Sequence, residues 1–197
     1  MVDFVETLNQ AVDKKTKSPA PADTLSALTQ AEKDSRQQKP QFKFDQFFGQ
    51  WRLHFINGTN KSRSQFASLL KDGFYLPPLI GVKISYAPLD DNQEQNLHNN
   101  QGRVINTVSV GLVKFTIEGP CKFIPNKNIL AFDFTYLSMF ILGKKIFSKD
   151  IRGGKSSDEQ FFQESVSKQA FFSYFQVNDR LIAARGRSGG LALWRKE

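Results

Sequence analysis

Cysteine, histidine and long apolar runs are scarce in this sequence of 197 residues, and each shortage excludes a class of structure or chemistry. Cys121 is the only cysteine, so no disulfide can form within the chain, and a reducing compartment is favoured. One cysteine and two histidines offer few ligands to a zinc ion, so no metal site is predicted. No run of 18 apolar residues exists, so no transmembrane helix is expected.

Motifs for catalysis and for targeting are also missing. The sequence has no Gly-x-Ser-x-Gly elbow and no His-Glu-x-x-His, and the glycine-rich stretch 186–190 lacks the Lys-Ser/Thr pair of a phosphate loop. We therefore predict no catalytic residues, no cofactor and no enzymatic activity, with Cys121 as a structural residue. The N-terminus has neither a secretory signal pattern nor the arginine-rich composition of a transit peptide.

Phenylalanine and positive charge are the two features in excess. All but one of the 19 phenylalanines follow residue 40, which fits either a dense core or an apolar cavity. Residues 1–40 have no net charge, so residues 41–197 carry the whole net charge of +8. Such a basic body prefers anionic partners, among them anionic lipid surfaces, although the charge also serves solubility alone.

The apolar spacing changes near residue 40 and divides the chain into two parts. Residues 2–15 and about 23–37 carry thin helical stripes, which predicts an N-terminal helical extension over residues 1–40. Residues 41–197 contain short segments with a period of two, at 49–55 and about 79–86, 103–110, 112–118, 121–125, 129–137, 139–147, 169–177, 180–185 and 190–195. This pattern predicts an all-β-dominated fold, an antiparallel barrel or sandwich preceded by helices.

The longer segments between the predicted strands comprise one short helix and two polar loops. Residues 62–71 have the pattern of a short helix. Residues 90–102 and 150–168 are predicted to be solvent loops, the second with one helical turn at 159–164.

Two motifs carry a resemblance to known families. Gly49-x-Trp51 followed by an alternating strand resembles the opening of the lipocalins. The segment from Asp179 to Leu193 resembles the closing motif of the plastid-lipid-associated protein (fibrillin) family, with Arg185, Gly186 and Gly189 matching and Asn178 and Ile182 departing from it. The strand 103–110, with an asparagine between apolar residues, also resembles the central strand of that family.

The resemblance covers about residues 42–197 and implies a lipocalin-like antiparallel β-barrel associated with thylakoids or lipid globules. It implies a cyanobacterial member in the cytoplasm at the thylakoid surface, or a plastid protein if the chain is a mature plant form. Family members are linked to carotenoids, prenylquinones, fatty acids and photo-oxidative stress in photosynthesis. The implied partner is thus a hydrophobic small molecule such as a lipid, carotenoid or quinone, with a peripheral membrane surface as a second partner.

Alternation of apolar side chains supplies the candidate cavity lining. The candidates are Trp51, Leu53, Phe55, Val113, Phe115, Phe132, Phe134, Tyr136 and Tyr174. Arg185 is a further candidate, either as a cationic anchor for a ligand carboxylate or as a structural contact over Trp51, a role that Arg195 could also fill. Basic residues near the ends of the last strands form a candidate anionic-surface rim of Arg180, Arg187, Arg195 and Lys196, with Lys43 nearby.

These features support a non-enzymatic carrier of a hydrophobic lipid or isoprenoid. Two alternatives stay open: a structural coat of thylakoid or lipid globule without an internal ligand, and an enzyme that attaches bilins on a related barrel. The enzyme would need Asp133, Glu118 and Arg185 inside a pigment-sized pocket. Nucleic acid is not expected as a partner, because the phenylalanines alternate into the core rather than with exposed cations.

Overall fold

The computed structural model describes residues 3–58, 72–89 and 100–197. The short helix predicted at 62–71 and most of the loop predicted at 90–102 lie outside these residues. Three α-helices are found in the described part, α1 (Phe4–Val12), α2 (Pro21–Gln38) and α3 (Asp158–Gln163), together with a 3-10 helix at Phe44–Phe47. None of these helices has the length and apolarity needed to cross a bilayer.

Eight of the strands close into an antiparallel barrel, which confirms the predicted fold class. Around the ring the order is β4-β3-β1-β11-β10-β9-β6-β5, and β5 pairs with β4 to close it. The bounds are β1 Gly49–Ile56, β2 Phe74–Tyr75, β3 Ile80–Pro88, β4 Gln101–Val110, β5 Val113–Ile124, β6 Ile129–Phe132, β7 Tyr136–Ile141, β8 Lys144–Asp150, β9 Ala170–Val177, β10 Leu181–Gly186 and β11 Leu191–Lys196. Strand β2 adds only a short pairing to β1.

Strand β5 is the longest strand and changes partner along its length. Its residues 121–124 pair with β6 inside the barrel, whereas residues 113–118 pair with β7 outside it. The change occurs at Gly119, where a Cβ would lie 2.4 Å from the Asp133 carbonyl oxygen, so only glycine fits. The β4–β5 and β7–β8 hairpins consequently project together beyond the closed barrel.

Three predicted strand boundaries are wrong, two of them because of this change of partner and one because of a hairpin turn. The segments 112–118 and 121–125 are one continuous strand, because β4 pairs with β5 across the whole of Gly119-Pro120. The segment 129–137 is divided between β6 and β7 by the partner change, and the segment 139–147 contains the turn Leu142-Gly143. Apolar residues on both sides of that turn conceal it from an alternation pattern.

A β-bulge in β1 reverses which side chains face the barrel interior. Leu53 pairs with Trp194 and Phe55 with Leu193, so one extra residue lies between the two pairs on β1. Leu53 and Ile56 therefore belong to the interior core, whereas Phe55 joins a second core on the outside of the barrel. The prediction that Phe55 lines the interior is corrected. The extra residue of the bulge moves the side chains that follow it to the opposite face of the strand.

Helices α1 and α2 cover the outer face of β1, β9, β10 and β11. The outer core joins apolar residues of both helices to apolar residues of these strands, with Leu8 and Leu28 fully buried. Thr24 Oγ1 and the Tyr75 hydroxyl lie 2.6 Å apart and link α2 to β2. The predicted helices at 2–15 and 23–37 are thus present as α1 and α2, and both pack directly on the barrel.

The segment predicted to be a solvent loop at 150–168 is partly packed. The predicted helical turn is present as α3, but Phe161 on it is buried. Lys122 Nζ on β5 donates to three carbonyl oxygens at the end of α3, those of Phe161, Phe162 and Glu164, at 3.0, 3.1 and 2.6 Å. These three hydrogen bonds from one ammonium group attach the C-terminal end of α3 to the barrel.

Candidate ligand-binding site

Aromatic side chains fill one end of the barrel, which we call the plugged end. Phe47, on the 3-10 helix before β1, is fully buried, and its ring centroid lies 4.6 Å from that of Tyr174 and 5.1 Å from that of Phe123. Trp51 Nε1 donates to the Phe47 carbonyl oxygen at 2.7 Å, and Phe44 also stacks on Phe123. The predicted cavity residues Trp51 and Tyr174 are therefore parts of a filled core.

Two buried hydroxyls meet within the plugged end. The Tyr86 and Tyr174 hydroxyl oxygens lie 2.9 Å apart, and burial raises the pKa of both phenols. Burial also raises the pKa of the Cys121 thiol. A thiol with a raised pKa is a poor nucleophile, which agrees with a structural role for Cys121.

A cation does lie over the first-strand tryptophan, but it is a lysine. Lys196 Nζ is 4.1 Å from the Trp51 ring centroid and also donates to the Phe48 carbonyl oxygen. The prediction that Arg185 or Arg195 occupies this place is wrong. Strand β11 pairs Lys196 with Trp51, one residue beyond Arg195, so Lys196 is on the same face as the indole.

The opposite end of the barrel interior, which we call the apolar end, is lined by half-buried apolar side chains. Phe132 and Leu53 face the interior, as the cavity prediction expected, and they lie at the boundary with the filled core. Beyond them, five partly exposed residues face inward and pack on the interior core: Ile56, Leu76, Val82, Phe134 and Phe172. Apolar interior surface that stays partly exposed is the kind of surface on which a lipocalin-like barrel binds an apolar ligand.

Asn106 is a polar residue on this apolar inner surface. It pairs across β3 and β4 with Ile84, which belongs to the interior core, and it therefore faces inward. Its Oδ1 is buried and, among the described residues, has no hydrogen-bond partner. An unpaired buried oxygen costs about 1–3 kcal/mol, so it marks a place where a hydrogen-bond donor is missing. Sequence reasoning noted this asparagine only as part of a resemblance.

The inner apolar face continues beyond the barrel onto the projecting hairpins. Phe115 pairs with Val108, which pairs with Val82 of the apolar end, so the three share one face. Val113 lies further along the same face and pairs with Ile141 of β7. The predicted cavity residues Val113 and Phe115 are therefore on the inner face but outside the closed ring, and Phe115 is 43% exposed.

Tyr136 and Arg185 point away from the interior, contrary to the cavity prediction. Tyr136 pairs with Glu118, on the outer face of β5, because β7 begins outside the barrel. Arg185 extends toward α2, where its Nε donates to Glu32 Oε1 at 2.8 Å and its second terminal nitrogen to Glu32 Oε2 at 2.5 Å. It also donates to the Gly189 carbonyl oxygen. Arg185 thus joins the barrel to α2.

This ion pair predicts a pH-dependent stability. The hydrogen bonds from Arg185 hold the pKa of Glu32 below its usual value of 4.5. A lowered folded-state pKa contributes stability that is complete above pH 4.5 and is lost as the pH falls through the folded value. We expect Glu32→Gln to lower the free energy of unfolding by about 1–2 kcal/mol at pH 7, discounted because Arg185 is one-third exposed.

The measurement is urea unfolding of both proteins between pH 7 and pH 3, with Glu6→Gln on the exposed face of α1 as the matched control. The difference between wild type and Glu32→Gln should shrink below pH 4.5. A difference that stayed constant down to pH 3 would contradict a role for the carboxylate charge.

The predicted basic rim is divided between the two ends of the barrel. Arg180 and Lys196 lie at the plugged end, where the Lys196 N–H donates to the Arg180 carbonyl oxygen at 2.8 Å. Arg187 is in the turn at the other end of β10 and donates to the Gln169 carbonyl oxygen at 2.8 Å. The Nε of Arg195 is buried. The prediction of a single rim is therefore corrected, because residues before and after one strand are separated by its length.

The three residues required by the enzymatic alternative do not converge. Asp133 pairs with Arg152 at 2.6 Å, Arg185 pairs with Glu32, and Glu118 is on the outer face of β5. Asp133 lines a polar surface pocket of about 260 Å³ together with Gln160, Glu164 and Lys168. Among the described residues, no group of three or more His, Cys, Asp or Glu side chains is placed to hold a metal ion.

The fold and the apolar end define an eight-stranded, lipocalin-like antiparallel barrel with helices on its outer face. No protein-family model matches the chain, and no curated protein matches it.

Proposed function

We propose that the protein binds and carries a hydrophobic lipid or isoprenoid in the apolar end of its barrel. The observation that carries this proposal is the contrast between the two ends of one interior. Aromatic rings fill the plugged end, whereas the inward-facing Ile56, Val82, Phe134 and Phe172 remain half-buried at the other end. Burial of an apolar chain against these side chains would contribute about 25 cal/mol per Å² before ordering costs.

Asn106 narrows the ligand to a long apolar molecule that ends in a hydrogen-bond donor. Its Oδ1 is buried among apolar neighbours and accepts from no described residue. A hydroxyl or a protonated carboxyl group would satisfy that oxygen without bringing a charge into the barrel. The family resemblance implies fatty acids, carotenoids and prenylquinones. Fatty acids offer such a group, and so do the hydroxylated carotenoids and the reduced prenylquinones.

The first test is extraction of the protein purified from its native host, followed by mass spectrometry of the organic phase. We expect one carotenoid, quinol or fatty acid at about one molecule per chain. The purified protein should also bind cis-parinaric acid, a fluorescent fatty acid, after the extract is removed. An empty protein that does not bind the fatty acid would contradict the carrier function.

Asn106→Leu is expected to weaken ligand binding while it stabilises the barrel. Without ligand, it should raise the free energy of unfolding by about 1 kcal/mol, because it removes an unpaired buried oxygen. It should also weaken cis-parinaric acid binding about tenfold, which fluorescence titration measures. Thr107→Val, on the opposite face of the same strand, is the control and should bind normally. Equal binding by Asn106→Leu would exclude a contact at this residue.

A coat function without internal ligand is the second candidate, and one observation favours it. Large apolar side chains are exposed on the projecting hairpins, outside the barrel. Location at a thylakoid or lipid-globule surface remains part of this proposal.

A further inference from the structure

The two projecting hairpins end side by side at two exposed leucines. The turn of the β4–β5 hairpin is Gly111-Leu112, and that of the β7–β8 hairpin is Leu142-Gly143. The Leu142 N–H donates to the Leu112 carbonyl oxygen at 3.0 Å, which holds the two turns together. Leu112 is 68% exposed and Leu142 is 69% exposed, so both side chains extend into solvent.

Further apolar side chains surround these leucines and form what we call the hairpin patch. Leu79, directly before β3, is 85% exposed, and Ile80 next to it pairs with Val110. Other members are partly exposed along the strands: Val108, Val110, Phe115, Ile141, Ile146 and Phe147. Scattered exposed apolar residues need no explanation, but these lie next to one another on paired strands, and a contiguous apolar patch marks an interaction surface.

Leu142 has a backbone conformation that a leucine does not favour. Its φ is +51°, and that of Gly143 is +78°, as in the turns that prefer Asn-Gly or Gly-Gly. A left-handed conformation destabilises an ordinary L-residue, and asparagine tolerates it better. A leucine at this position therefore costs stability and, at 69% exposure, gains little packing in return.

Near their tips the hairpins carry positive charge and no negative charge, since Glu118 and Asp150 lie at their bases. Residues 108–117 and 139–149 contain Lys114, Lys144, Lys145 and Lys149 but no aspartate or glutamate. Lys114 Nζ lies 4.2 Å from the Phe140 ring centroid and Lys145 Nζ 5.8 Å from it, so these cations are held beside the apolar tips. Leucines at the tip would reach the apolar acyl chains of a bilayer, and the lysines behind them would lie at the depth of the anionic headgroups.

We propose that the hairpin patch docks on an anionic lipid bilayer, with Leu112 and Leu142 inserted among the acyl chains and the lysines on the headgroups. A second copy of this chain fits less well, because an isologous contact would bring both sets of lysines together. The proposal goes beyond ligand binding, and it rests on the same exposed hairpin residues as the coat candidate, for which it names the lipid surface and the inserting side chains. If both proposals hold, the inner face shared by Phe115 and Val82 connects the bilayer to the apolar end.

The test is co-sedimentation of the full chain with vesicles of phosphatidylcholine alone or with 30% phosphatidylglycerol, a composition of about one anionic lipid in three. The wild type should bind the anionic vesicles, and binding should weaken with salt. Leu112→Ser/Leu142→Asn should bind at least tenfold more weakly while unfolding at the same or a higher temperature. Lys144→Glu/Lys145→Glu should lose at least tenfold on anionic vesicles.

Two controls decide whether the effect belongs to the patch. Lys43→Glu/Arg180→Glu makes the same charge change at the plugged end, and Val5→Ser removes an exposed apolar residue from α1; both should bind within twofold of wild type. Leu112→Trp should show a blue shift on binding and quenching by brominated acyl chains. Binding lost in the plugged-end variant, or unchanged in the hairpin variants, overturns the proposal.

Self-association is the other outcome that overturns it. A wild type that is dimeric by sedimentation velocity without vesicles, and monomeric as Leu112→Ser/Leu142→Asn, would assign the patch to a second copy. Vesicle binding can be measured on protein without a bound ligand, and ligand extraction requires no vesicles. Failure of the bilayer proposal can therefore be distinguished from failure of the carrier proposal.

Discussion

Replacing Phe47 with alanine is expected to lower the free energy of unfolding by about 3–5 kcal/mol, the largest effect we predict for a single substitution. The ring has no exposed surface and contacts the rings of Tyr174 and Phe123. Its removal would leave a cavity that neighbouring aromatic rings cannot fill, because Trp51 is held by its hydrogen bond to the Phe47 carbonyl oxygen. Urea unfolding followed by tryptophan fluorescence measures the change.

Phe147→Ala is the matched control for this substitution. Phe147 is also a phenylalanine, but it lies on β8, belongs to the hairpin patch and is 46% exposed. Its replacement should change the free energy of unfolding by less than about 1 kcal/mol. If Phe47→Ala also lowered the free energy of unfolding by less than about 1 kcal/mol, the plugged end would not be rigidly filled. The carrier site would then extend through the whole barrel.

Leu28→Ala should lower the free energy of unfolding by about 2–5 kcal/mol, the second largest effect. Leu28 lies on α2, has no exposed surface and packs in the outer core with Phe175 and Leu181. The expected cost is that of a core residue, because residues of α1 and α2 form one buried core with β1, β9, β10 and β11. Unfolding by urea should remain a single transition.

Leu25→Ala on the same helix is the comparison, since Leu25 is only partly buried against the same core. We expect a loss of about 1 kcal/mol there. If Leu28→Ala instead cost no more than Leu25→Ala, or if an early transition separated from the main one, the helices would be a detachable extension of the barrel.

The barrel architecture could be read from the sequence because its signals are local. Strand alternation, as in Trp51 and Leu53, and glycine turns such as Gly189-Gly190 depend on neighbours in the chain. The helical stripes with Leu8 and Leu28 are local as well. These signals predicted the antiparallel barrel and the two N-terminal helices.

The candidate site was predicted less well. Leu53, Phe132 and Phe134 are on the interior surface, but Phe55 and Tyr136 are outside it and Arg185 contacts Glu32. Asn106 and the leucines of the hairpin patch were missed as functional residues. Leu142-Gly143 did carry a signal, because an apolar residue before glycine in a two-residue turn is unusual.

The sequence by itself determined that this protein is a basic, mostly antiparallel β structure with two amphipathic helices before it. The tertiary structure alone decided which side chains face inward and which end of the barrel is filled. The reason is that a bulge such as that between Leu53 and Phe55, or a partner change such as that at Gly119, depends on the register of strands far away in the chain. One residue of register reverses every side chain beyond it.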